Sequence, residues 1–98
     1  MIRREADRIE LQGPVTLATV PDLVALGEPL IRQGSAVVDF SKVSEVDSAA
    51  VALALEWMRQ AEALGHSLSF ANLPVAMSNL AGLYGVSGFI SPSPTASS

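Results

Sequence analysis

Ninety-eight residues with a formal net charge of −4 make one domain. Hydrophobic residues are 49% of the chain and charged residues 16%, so either the core is rich or part of the apolar surface serves a partner. The acidic balance and the lack of a basic stripe argue against nucleic acid or an anionic membrane as ligand, and the absence of cysteine removes disulfides, thiol catalysis and cysteine metal sites.

The early charges Arg3, Arg4, Glu5, Asp7 and Arg8 leave no room for an apolar signal segment. The longest apolar run, Ala49 to Leu55, is too short to span a bilayer. A cytoplasmic location is expected, with no insertion into the membrane.

Ile9 to Leu11 reads as a strand closed by the Gly13-Pro14 turn, and Ile2 to Glu5 can pair with it as a hairpin around Ala6-Asp7. Thr19 is an expected helix N-cap, with Pro21 in the first turn and Asp22 near the positive helix end. Leu23, Leu26, Leu30 and Ile31 fall on one face of a first helix ending about Gln33. Pro29 predicts a kink or an early stop there, and Gly34 ends the segment.

Ser35 to Phe40 (SAVVDF) reads as a buried strand, and SKVSEVD as the turn after it. A second helix is expected from Ser48 to Leu64, stopped by Gly65. Leu68 to Ala71 is a third strand. Asn72 or Leu73 opens a third helix with Pro74 at its first position, and Gly85 ends it. Phe89-Ile90 reads as a last short strand. Residues 1–90 form the domain, and residues 91–98 (SPSPTASS) read as a disordered tail. Strands alternating with helices imply an α/β fold with helices packed on a mixed sheet of about four to five strands.

Catalytic chemistry is thin. The single histidine, His66, follows a helix C-terminus and reads as a surface residue. No phosphate-binding glycine loop and no nucleophile elbow are present. Glu45 and Asp47 flank Val46 and would point the same way on an extended chain, but an acidic turn feeding a helix N-terminus accounts for them. No catalytic residue, metal or cofactor is expected, and a binding or regulatory module is favoured over an enzyme.

Ser48 is an expected N-cap whose exposed hydroxyl could also be phosphorylated. On a helical wheel Val51, Ala54, Leu55, Met58 and Ala61 form one apolar stripe. Ala50, Leu53, Trp57 and Leu64 form a second beside it. Two readings follow. The helix is buried from two sides within the domain, or one stripe is core and the other binds a protein. The low charge favours the second, with Trp57 as the anchor. An exposed stripe would also allow a homodimer of the isolated domain.

VDFSKVSEVDSAAVALAL, the later LSFANL and NLPVAMSNLAGLYGV resemble the STAS domain family from Ile9 to about Ile90. Its anti-sigma factor antagonists carry a DSSGLG-like stretch whose serine or threonine after the aspartate is phosphorylated. Here that stretch is DSAAVA, so Ser48 keeps the acceptor position while the second serine and both glycines are missing. The apolar helix and the LAGLYGV ending resemble the MlaB-like STAS subunits of Mla-type lipid ABC transporters. That resemblance implies a non-catalytic accessory subunit docking on the transporter's ATPase (MlaF-like), peripheral to the inner membrane through its partner. It places docking around Ser48, in agreement with the second stripe of the wheel, so the expected docking residues are Asp47, Ser48, Ala49, Leu53 and Trp57, together with the third helix. The alternative is an antagonist that captures an anti-sigma kinase while Ser48 is unmodified.

Overall fold

The computed structural model describes residues 1–86, 88 and 90. Strand β1 (Ile2–Glu5) turns through Ala6-Asp7 into β2 (Arg8–Val15), and the two pair antiparallel with Glu5 opposite Arg8. Ala6 sits at φ 56°, the left-handed backbone that a two-residue hairpin turn requires. Helix α1 (Val20–Ile31), strand β3 (Ala36–Val46), helix α2 (Ser48–Ala63), strand β4 (Leu68–Ala71) and helix α3 (Val75–Leu83) follow. Strands β2, β3 and β4 are parallel, so the sheet is mixed and four-stranded in the order β1-β2-β3-β4.

The strands alternate. Ile9, Leu11, Val38, Phe40 and Phe70 are buried in one cluster with residues of all three helices. The intervening positions form the outer sheet face, where Glu10 pairs with both Arg3 (3.4 Å) and Lys42 (3.6 Å). Asp39 lies on this outer face yet is buried. Its carboxylate accepts from the Asn72 amide (2.9 Å), the Ser41 backbone N–H (2.9 Å) and the Arg8 guanidinium (2.9 Å). Burial raises the Asp39 carboxyl, but the hydrogen bonds from Asn72, the Ser41 backbone and Arg8 outweigh it and hold the group down at about 2. Taking the Ser41 N–H also closes the β3–β4 ladder, and Asn72 turns the chain away at φ 58°.

Two strands are longer than the sequence pattern indicates. Gly13-Pro14 does not end β2, and SKVSEV is not a turn. Gln12 to Val15 pair with Lys42 to Val46, with one register shift before Gln12 and another between Gly13 and Pro14. Pro14 is tolerated because β1 covers β2 only as far as Gln12, and among the described residues the far edge has no strand partner that would need its N–H. Ser41, Lys42, Ser44 and Glu45 are exposed, so the half of β3 that runs past β4 carries the polar composition of a loop.

Helix α1 runs through Pro29 to Ile31 rather than to about Gln33. Pro29 deprives the Ala25 carbonyl of its helical partner, but both residues are exposed and water can serve that carbonyl. At the helix end, the Arg4 guanidinium donates to the carbonyls of Leu30 in the last turn and of Gly34 and Ser35 beyond it, each at 3.0 Å. His66 is half-buried rather than free on the surface, and its Nδ1–H donates to the Ile31 carbonyl (3.0 Å).

Helix α2 lies between α1 and α3 and ends as expected at Gly65, whose φ of 75° lets the His66 N–H reach back to the Ala61 carbonyl (2.9 Å). Pro74 is the N-cap of α3 rather than its first residue. The expected strand at Phe89-Ile90 and the tail at 91–98 fall outside the described residues, apart from Ile90, which is a buried bend.

Candidate functional site

The expected docking residues divide into two groups. Leu53 and Trp57 are 0% exposed and belong to the core, so the second stripe of α2 is not a free surface, apart from Leu64 at its end, which is exposed. Trp57 lies against Gly27 of α1. A Cβ at residue 27 would come within 2.6 Å of the indole ring, so only glycine lets the two helices close over it. The indole N–H finds no acceptor among the described residues. Ala50, Val51, Ala54 and Ala61 are buried as well, so α2 is packed from two sides, and its low charge reflects an apolar core. Arg59 and Glu56 pair at 2.7 Å and mark its solvent face.

Asp47, Ser48 and Ala49 remain together at the start of α2. The N-cap is Asp47, not Ser48. With Asp47 extended at φ −134°, its Oδ1 accepts from the Ala49 N–H at 2.8 Å, the bond that satisfies an otherwise orphaned helix donor. Its Oδ2 accepts from the Leu17 N–H at 3.0 Å, tying the β2–α1 loop to the helix. Ser48 is thereby displaced to the first helical position, where its side chain is exposed and has no capping duty.

Leu17 is the residue that sequence reasoning missed. The residue is 77% exposed, although its backbone N–H is held on Asp47. The one available signal was a large apolar residue set between Thr16 and Ala18-Thr19 in a loop. Thr19 does occupy the N-cap position of α1, but its hydroxyl serves this loop. It accepts from the Thr16 N–H (2.9 Å) and donates to the Pro14 carbonyl (3.0 Å).

Across the end of β3, Val43 to Val46 and Pro74 and Ala76 line a shallow groove, and Val75 between the last two is 75% exposed. The sequence carries no Asp, Glu, Lys or Arg from Ala63 to Ser98, so α3 has no charged side chain. The ends of the parallel strands thus carry a short hydroxyl-bearing helix start beside apolar Leu17, with uncharged α3 across β3. Glu45 stands exposed beside them and Asp47 is engaged in its two hydrogen bonds. Among the described residues no cluster of carboxylates and histidine is arranged to hold a metal ion.

The family described as "Mlab, STAS domain" matches residues 2–91. The chain belongs to that family. Solved structures agree on the fold of this STAS domain. The anti-sigma factor antagonist SpoIIAA in its unphosphorylated form superposes with a TM-score of 0.73 at 20% identity, over 95% of this chain and 86% of that one. The Bacillus cell fate determinant SpoIIAA in its phosphorylated form gives 0.69 at 21% identity, over 95% and 89%. A protein called Mglu gives 0.60 at 20% identity, and the match spans 76% of this chain but 20% of that one. No curated protein matches the sequence. Among the described residues no helix is long and apolar enough to cross a membrane.

Proposed function

We propose that this STAS domain is a non-catalytic accessory subunit of a phospholipid-transporting ABC complex, docking on the complex's ATPase through the start of α2. The observation that carries this reading is the exposed Ser48 on a helix start held by Asp47, with Leu17 projecting beside it. A rigid polar centre flanked by exposed apolar side chains suits a protein contact, because little order has to be imposed on binding. Leu17 takes the anchoring role that the sequence pattern gave to Trp57, and Ser48 contributes a polar contact. Charge-free α3, with Val75 exposed, extends the surface toward an uncharged partner face. The MlaB description of the family supports the choice of an ABC ATPase, whose position would hold the domain at the cytoplasmic side of the inner membrane.

A second reading rests on Ser48 alone. SpoIIAA, solved in both phosphorylated and unphosphorylated forms, shares the fold, and Ser48 is an exposed hydroxyl at a helix N-terminus that tolerates added negative charge. On that reading the chain is an antagonist that captures an anti-sigma kinase until Ser48 is phosphorylated.

Capture from cell extract with wild type and Ser48→Glu, followed by identification of the bound proteins, separates the two. Recovery of an ABC ATPase by wild type and its loss with Ser48→Glu supports the transporter subunit. Recovery of a histidine-kinase-like anti-sigma factor supports the antagonist. A Ser48→Glu chain that retains either partner removes Ser48 from the interface.

A further inference from the structure

We propose that Asp47 is a positioning residue whose two carboxylate oxygens do separate work: Oδ1 starts α2, and Oδ2 sets the placement of Leu17. The Oδ1 bond to the Ala49 N–H (2.8 Å) is local and would exist in an isolated helix. The Oδ2 bond to the Leu17 N–H (3.0 Å) spans thirty residues and joins the β2–α1 loop to the helix start. The loop is already braced on its other side, where the Thr16 carbonyl accepts from the N–H groups of Thr19 and Val20 at 2.9 Å each, and the Thr16 N–H is on the Thr19 hydroxyl. Leu17 lies inside this Thr16–Val20 turn, and its N–H is the group that reaches out of the turn to the Asp47 cap. The residue is 77% exposed, so burial does not hold it, and the Asp47 bond restrains its backbone at this point. A hydrogen bond to a charged acceptor is stronger than one to a neutral group, which suits it to hold an apolar side chain out in water.

The two roles separate chemically. Asparagine caps helices as well as aspartate does, but it offers one acceptor oxygen, and its amide nitrogen cannot accept from a backbone N–H. Asp47→Asn can therefore satisfy only one of the two N–H groups through its oxygen, and the local Ala49 bond, which needs no thirty-residue closure, is the one expected to persist. Asp47→Ala loses both. The inference rests on the docking reading for its consequence at a partner, but its primary readout needs the chain alone.

Amide hydrogen exchange followed by NMR on the 98-residue chain tests it. In Asp47→Asn the Leu17 amide exchanges about tenfold faster while Ala49 stays within about twofold of wild type; in Asp47→Ala both accelerate. Unchanged protection at Leu17 in Asp47→Asn overturns the inference, and so does loss at Leu17 and Ala49 together. The affinity of Asp47→Asn for a captured ABC ATPase is a separate readout. Undiminished affinity alongside a freed Leu17 amide would count against docking at Leu17 and leave the positioning role standing.

Discussion

Gly27 and Trp57 show how single residues decide what the helices can do. Exposed helical glycine is less favourable than alanine by about 1 kcal/mol, so substitution would ordinarily stabilise α1. Here an alanine methyl would meet a rigid, fully buried ring at 2.6 Å. Gly27→Ala is expected to destabilise by about 1–3 kcal/mol in urea unfolding, against its helix propensity. A neutral or stabilising result would remove the ring from that position. Trp57→Ala is expected to cost about 3–5 kcal/mol, since it empties the space between α1 and α2. A near-native midpoint for that variant would return Trp57 to the surface. Asp39 gives a pH signature. Its carboxyl lies near 2, below its ordinary 3.8. Its stabilisation is therefore fully present above about pH 4 and lost as pH falls through about 2; the shift corresponds to about 2 kcal/mol. Asp39→Ala is expected to flatten the acid limb of the stability–pH curve, and an unchanged limb would mean that the Arg8–Asp39–Asn72 cluster contributes nothing.

At the scale of elements, the start of α2 depends on Asp47 and not on Ser48. Asp47→Ala is expected to cost about 1–2 kcal/mol, while Ser48→Ala stays within about 0.5 kcal/mol of wild type in thermal or urea unfolding. The reverse order would reinstate Ser48 as the cap. The sequence pattern was ambiguous at this point because aspartate and serine are equally good caps and sit side by side. The three helices, the hairpin and the glycine stops at Gly65 and Gly85 were legible, since periodicity and backbone freedom are local properties. The second half of β3 was not. Its existence depends on pairing with Gln12 to Val15, residues about thirty positions away, and its exposed face is composed like a loop. The two apolar stripes of α2 were seen correctly as stripes. Their fate could not be read, because burial by α1 requires knowing that Gly27 would stand opposite Trp57. Leu17 was invisible for a similar reason. A lone leucine in a loop acquires meaning only when Asp47 holds its backbone beside Ser48.

For the whole molecule, the proposed docking rests on what is exposed at one end of the sheet. The helices close one face, ion pairs line the other, and Arg4 and His66 tie down the C-terminal end of α1. At the opposite end, where the parallel strands finish, Leu17, Ser48 and Val75 remain exposed. The fold brings these three residues to that end from distant parts of the sequence, and the proposed docking would draw on the β2–α1 loop and the starts of α2 and α3 together. A titration of the isotopically labelled chain with its captured ATPase, followed by amide NMR, tests this most directly. Docking at the start of α2 predicts that the amides of Leu17, Ser48, Ala49 and Val75 shift or broaden, while Glu10 and Lys42 on the outer sheet face do not. Perturbation centred on Glu10 and Lys42, or on Leu64 and His66 at the far end of α2, would contradict it.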